Sequence, residues 1–570
     1  MIRMPFVSVA SLALLGVLIA GCGDAPSGMD SGSPTVEDAL SSAAATITAA
    51  GLEQHIVTLS SDEFGGRGPS SPGGDMTVEY LAEQFADMGL EPGNEGSWYQ
   101  DVPLVDITAD PATASIEVSG GDGPPMDISY ADEAVTWTTR VVESVGVEGS
   151  DMVFVGYGVV APEYGWDDYA GVDVEGKTVV MLVNDPGYAT QDPELFTGNA
   201  MTYYGRWTYK FEEAARQGAA AAIVIHQTEP ASYGWETVRN SWTGPQYNLE
   251  PEDGNMDRVA VEGWFTEETS RAVFDRAGLD FDGLTTAAAS ADFEPVEMGL
   301  TFSASLDNTL RSSESRNVIA LVPGMEAPDE YFVYTAHWDH LGTDPELEAA
   351  GDDGIYNGAL DNASGTAAML EIAQAFATRD EPPRRSIVFL AVTAEEQGLL
   401  GSKHYAQNPV YPLSQTVAGL NMDGLNSFGP THDIVVAGYG MSELDGVMEE
   451  VAAEAGRRVV PDPTPEAGYY YRSDHFELAK MGVPMIYPDN GTDAVEGGTE
   501  VGEAAADRYR AERYHMPTDE YDETWRLDGA VADVRLFYEM GARIADSDEW
   551  LNWNEGTEFR AVRDASMGGM

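Results

Sequence analysis

SIVFLAVTAEEQGLLGS, residues 386–402, carries a run of β-branched and aromatic residues that ends at two adjacent glutamates, Glu395 and Glu396. A strand buried on both faces reads as a continuous apolar run of this kind, and it implies a sheet covered by helices on each side. Other segments from about residue 297 onward follow the same plan. NVIALVPG, YFVYTAH and VAGLNMD read as strands; TAAMLEIAQAFATR and MSELDGVMEEVAAEAG read as helices. That alternation predicts an α/β domain, three layers deep, around a mixed but largely parallel sheet.

In such sheets ligands bind beyond the carboxyl ends of the strands. His337-Trp338-Asp339 follows one apolar run, Glu395-Glu396 the second and Asp423 the third. Asp361 precedes a small-residue turn into a helix in GALDNASG, and His515 sits in the loop-like RYHMPTDEYDE. Imidazole nitrogens and carboxylate oxygens are zinc donors, so two histidines with several carboxylates can hold a metal pair. Each residue alone is weak evidence. With 97 acidic residues in 570, chance doublets such as Asp167-Asp168 and Asp352-Asp353 occur elsewhere.

Composition narrows the function classes. The chain has 29 basic against 97 acidic residues, a formal net charge of -68 that repels nucleic acid. Only four of the basic residues are lysines, and this acidic, lysine-poor make-up resembles that of proteins adapted to high salt. Residues 1–21, with Arg3 before FVSVASLALLGVLIAG, read as a signal peptide. Ile19-Ala20-Gly21-Cys22 resembles a bacterial lipobox, which implies lipid attachment at Cys22, the single cysteine. Gly23 rather than an aspartate follows it, which points to the outer membrane, with the protein on its periplasmic or cell-surface side. Residues 22–48 read as a flexible tether. One cysteine excludes disulfides and thiol catalysis in the mature body. Neither a G-x-S-x-G elbow nor an H-E-x-x-H helix is present.

AHWDHLG, GALDNASG, TAEEQGLLGS, NMDG and YHMPTD, in this order, resemble the bacterial di-zinc aminopeptidase family. That family also contains glutamate carboxypeptidase, glutaminyl cyclase and the non-enzymatic transferrin receptor. SSDEFGGRGPSSPGG before a helix is similar to its N-terminal start, and the glycine-rich, β-rich stretch between resembles its inserted protease-associated domain. The resemblance divides the chain into 49–128 (N-terminal part of the catalytic domain), 129–295 (inserted domain), 296–550 (catalytic domain) and 551–570 (tail). It implies two zinc ions: His337 and Asp423 on one, Glu396 and His515 on the other, with Asp361 bridging. It implies Glu395 as general base, Asp339 hydrogen-bonded to His337, and a cis Asp361–Asn362 peptide. Tyr514, Arg472 and His475 fall on substrate-binding positions, Tyr514 as an oxyanion donor. The function implied is removal of N-terminal residues from peptides with a free N-terminus. The alternatives are a carboxypeptidase or dipeptidase of the same family, and a non-catalytic binding protein on the same scaffold.

Overall fold

A computed structural model describes residues 42–568. The expected signal peptide, the lipidation site Cys22 and most of the tether lie outside the described residues. No helix among the described residues is long and apolar enough to cross a membrane.

The strand at Arg385–Val392 is fully buried along its length and lies in the middle of the main sheet. Ala327–His337 pairs with it in parallel, Thr416–Asn421 pairs in parallel with that strand, and Met485–Asp489 continues the parallel set. Antiparallel strands flank this core. Val296–Val322 pairs with Arg385–Val392 on one side, and Asp433–Ala437 pairs with Met485–Asp489 on the other. Alternate residues serve opposite faces. Phe332, Tyr334, Ala336, Phe389 and Ala391 enter one core, and Tyr331, Val333, Val388 and Leu390 another. The first core is covered by helices Ala49–Leu59, Pro72–Met88, Gly365–Ala377 and Leu527–Asp546; the second by Leu400–Gln407 and His475–Lys480.

Local signals explain the element ends. Ser71 caps helix Pro72–Met88 by accepting from the Gly74 N–H at 3.1 Å, Pro72 opens it, and Gly89 closes it at φ +85°. These are the usual start and stop residues for a helix.

A second sheet occupies the middle of the chain. Met152–Phe154, Thr178–Leu182, Ala221–His226 and Val261–Thr266 run parallel in that order, with Ala134–Trp137 antiparallel at one side. The 27-residue strand Val296–Val322 joins the two sheets. Its first half pairs with Ser115–Gly120 and Ser144–Phe154 of the second sheet; its second half pairs with Tyr99–Ala109 and Arg385–Val392 of the main sheet. The boundaries expected at 128/129 and 295/296 therefore differ from the strand pairing: Ser115–Gly120 already lies in the second sheet, and residues 296–307 still pair within it. The reason is physical continuity. A single extended segment alternating buried Met298, Leu300, Phe302, Ala304 and Leu306 with outward residues serves the second core before it enters the first.

Candidate metal centre

Three adjacent parallel strands deliver the chemistry to one sheet edge. His337 is the last residue of its strand, Ala394-Glu395-Glu396 follows Arg385–Val392, and Asp423 follows Thr416–Asn421. Asp361 lies on the turn Ala359–Ser364 that leads into helix Gly365–Ala377, and the Asp361–Asn362 peptide is cis. His515 comes from the far side of the molecule's sequence, just after helix Thr499–Glu512, at φ +56°. Ala394 also has a positive φ, +53°, a conformation non-glycine residues seldom adopt. It turns the chain between the strand end and the glutamate pair, so the two carboxylates no longer alternate about a strand.

All five expected ligands converge. His337 Nε2 lies 3.2 Å from Asp423 Oδ1 and 3.3 Å from Asp361 Oδ1. His515 Nε2 lies 3.3 Å from Asp361 Oδ2 and 3.0 Å from Glu396 Oε2. Asp361 thus splits its two oxygens between the two histidines. Donors bound about 2.0–2.2 Å from one tetrahedral zinc stand roughly 3.3–3.5 Å from each other. The four observed gaps, 3.0–3.3 Å, lie at or just inside that edge and link two triads, His337, Asp361, Asp423 and His515, Asp361, Glu396; a Glu396 oxygen also comes within 4.8 Å of donor atoms of His337 and Asp361. Imidazole nitrogens and carboxylate oxygens placed this way are donors that suit zinc. A Glu395 oxygen also lies within 4.8 Å of donor atoms of His337 and Asp423, which places the expected base beside the first triad.

The electrostatics follow from burying four carboxylates together. Burial opposes the charged form of His337, but Glu395, Asp423 and Asp361 outweigh it and raise the imidazole well above its usual value. Burial likewise opposes charge on Asp361, yet hydrogen bonding from His337 and His515 holds it well below the ordinary carboxylate range. Glu395 differs from Glu396. Burial pushes Glu395 well up, with His337 opposing and Asp423 and Glu396 adding to the rise. For Glu396 burial and Asp361 push up, but His515 and His340 outweigh them and bring it down to about 2. One sequence doublet thus contains a carboxylate held anionic and a carboxylate with raised proton affinity.

Asp339 departs from the expected arrangement. His337 Nδ1 faces the backbone carbonyl of Asp339 at 3.1 Å, whereas the Asp339 carboxylate is 3.9 Å away, beyond hydrogen-bonding range. The tight turn after the strand brings the main chain, not the side chain, under the ring. The carboxylate Oδ1 instead accepts the Glu395 N–H at 3.2 Å, so Asp339 orients the glutamate pair.

The remaining expected positions divide. Tyr514 stacks on His515 with ring centroids 3.9 Å apart and is 47% exposed, so its hydroxyl can meet a substrate. Arg472 donates to Ala467 O at 2.5 Å and to Ser232 Oγ at 3.4 Å, and makes no ion pair among the described residues. His475 is fully buried between Tyr470 and Tyr487, its ring against the Tyr470 backbone. Burial lowers it to about 3, so it is a neutral packing group. Closed off on all sides, His475 cannot touch a substrate in this conformation.

Three residues escaped the sequence reading although each lies in a quoted motif. Asp519, the last residue of YHMPTD, accepts the N–H groups of Leu360 and Asp361 at 3.1–3.2 Å and the Tyr509 hydroxyl at 3.2 Å, fixing the bridging aspartate's backbone. Arg67, within the glycine-rich FGGRGPSS, is fully buried and donates to the carbonyls of Trp338, Leu59, Asn357 and Gly358. It clamps the two segments that carry His337 and Asp361. His340, at the end of the AHWDH run, lies with Nδ1 2.5 Å from Glu396 Oε1.

Residues 317–538 match the model of peptidase family M28. The match covers less than half of the chain. The matched segment contains all five converging donors. Among curated relatives, a "Probable zinc metalloprotease" of Pyrenophora teres f. teres is 39% identical over 106 residues, 19% of this chain and 22% of that protein. "Aminopeptidase NAALADL1" of Mus musculus is 34% identical over 139 residues, 23% of this chain and 17% of that protein. The matched part of this chain thus spans about a fifth of these relatives' length. Among solved structures, an aminopeptidase from Aneurinibacillus sp. strain AM-1 is 18% identical with a TM-score of 0.46, covering 88% of this chain and 95% of its own. A zinc aminopeptidase from Bacillus subtilis is 17% identical with a TM-score of 0.40, covering 90% and 99%.

Proposed function

We propose that this protein is an exported, lipid-anchored zinc aminopeptidase that removes N-terminal residues from peptides. The observation that carries the reading is the pair of triads sharing Asp361, with Glu395 beside them. His337, Asp361 and Asp423 would hold one zinc, and His515, Asp361 and Glu396 the other. Bound zinc supplies Lewis acidity that polarises a peptide carbonyl and makes a water molecule a better nucleophile. Glu395, beside the His337 and Asp423 donors, takes the proton from the attacking water and passes it to the leaving amine as the C–N bond breaks. Tyr514 is exposed at the edge of the second triad and can donate to the oxygen on which charge develops.

The chain's acidic field favours a free N-terminal ammonium as the group recognised. One observation favours a carboxypeptidase instead: Arg472, in a chain rich in acids, has no carboxylate partner among the described residues and could take one from substrate. Assays on amino-acyl anilides and on N-blocked dipeptides separate these. The aminopeptidase reading expects cleavage of the anilides, abolished by chelator and restored by added zinc. Faster cleavage of the N-blocked dipeptides overturns it in favour of the carboxypeptidase; activity that survives exhaustive chelation overturns the metal reading itself.

Anchoring has its own test. The Cys22→Ser protein should partition into the soluble fraction while keeping full peptidase activity, because Cys22 precedes the domain by more than a flexible tether's worth of chain. Retention of processed Cys22→Ser protein in membranes would remove the lipid anchor from the account.

A further inference from the structure

Glu396 has its two oxygens committed to different partners. Oε2 faces His515 Nε2 at 3.0 Å, on the side of the bridging Asp361, while Oε1 lies 2.5 Å from His340 Nδ1. A carboxylate offers only acceptor oxygens, so Nδ1 carries the hydrogen of this contact. Nε2 of His340 is buried and has no hydrogen-bond partner among the described residues, so the ring's one hydrogen bond there is the Nδ1–H donation to Glu396.

The His340 ring is held on several sides. It is fully buried, and its Cδ2 would lie 2.5 Å from a Cβ placed on Gly358, whose φ of +53° and missing side chain let the backbone pass. The His515 ring meets it edge-on at 5.8 Å. The backbone N–H of His340 donates to Arg67 O at 3.3 Å, and the Arg67 guanidinium binds the carbonyls of Trp338 and Gly358. A donor this constrained can fix its acceptor's orientation, not merely follow it.

We propose that His340 is a positioning residue that holds Glu396 to one-oxygen donation. The inference rests on the two-zinc reading and deepens it. With Oε1 occupied, Glu396 offers only Oε2, and each triad supplies three protein donor atoms. Three protein donors are the number found at catalytic zinc sites, which keep further positions for water or substrate. A Glu396 free to rotate could offer both oxygens and fill such a position.

The test compares His340→Phe, which keeps a packed ring without a donor, with His340→Asn, whose amide N–H can replace Nδ1–H. Zinc affinity is read in the full chain by competition with a chromogenic chelator, and coordination by the visible spectrum of the cobalt-loaded protein. His340→Phe should weaken one of the two zinc positions by about 10–100-fold, leave the other unchanged and alter the cobalt spectrum. His340→Asn should recover most of the affinity and the native spectrum. Should His340→Phe not fold, as judged by circular dichroism of the metal-free protein, His340→Ala takes its place with the same expectation. Wild-type affinity and spectrum in the donor-less variant overturn the proposal. Equal losses in His340→Asn and the donor-less variant also overturn it, because shape and not donation would then matter. Wild-type protein that binds no zinc overturns the two-zinc reading and the proposal together, a result distinct from either of the other two.

Discussion

Glu395→Gln is expected to lower kcat by about 10²–10⁴-fold while both metal positions keep their zinc. Glutamine preserves the side chain's length and hydrogen-bonding capacity but cannot take a proton. Glu395 lies beside the His337–Asp423 donors without belonging to the pattern of close nitrogen–oxygen gaps that defines the triads. Its raised proton affinity comes from burial first, with Asp423 and Glu396 adding to it, and Asp339 fixes its backbone from behind. Losing the proton acceptor removes both the deprotonation of the nucleophile and the protonation of the leaving amine. A kcat within about threefold of wild type would show that another group carries the proton, since general-base loss is normally much larger.

The second large effect is expected from Arg67→Met. Methionine fills a similar volume but makes none of the four hydrogen bonds to Leu59, Trp338, Asn357 and Gly358. It also removes a cation from a region crowded with acids. Burial lowers Arg67 to about 10, against the pull of Asp361, Asp339, Asp519 and Glu396, so the group is charged at neutral pH. Removing one partner from a buried charge network typically costs about 3–5 kcal/mol. Denaturant titration of the metal-free protein should show a loss of that order, and the loops carrying His337 and Asp361 should lose amide-exchange protection first. A loss below about 1 kcal/mol would mean that water or backbone rearrangement satisfies the four carbonyls, and the clamp would have no energetic meaning.

What could be read ahead of the structure follows from how far each signal travels along the chain. His337, Glu395, Glu396 and Asp423 sit directly after buried strands, and parallel pairing of those strands brings their ends together whatever the loops do. Asp361 and His515 stood out as donor types, but their roles needed the resemblance, because a turn before a helix and a distant loop carry no geometric instruction of their own. Arg67 and His340 were hidden for the opposite reason. Their partners are backbone carbonyls up to 291 residues away and one oxygen of a glutamate, and neither leaves a mark in residue spacing. Asp339 shows the same limit in small form. Its motif places it near His337, but only the turn geometry decides that the carbonyl, not the carboxylate, meets the ring. The strand Val296–Val322 was legible in principle. Its alternation of Met298, Leu300, Phe302, Ala304 and Leu306 has the period of two, yet the domain boundary expected at 295/296 cut across the strand's start.

In the proposed function Glu396 binds metal and Glu395 does not. Zinc content per chain, measured by elemental analysis of the purified wild-type, Glu395→Gln and Glu396→Gln proteins after identical dialysis, tests it most directly. Wild type and Glu395→Gln should retain about two zinc ions, and Glu396→Gln about one, because a neutral amide oxygen is the weaker donor at that position. A full complement in Glu396→Gln together with a depleted Glu395→Gln would contradict the assignment and exchange the roles of the two glutamates.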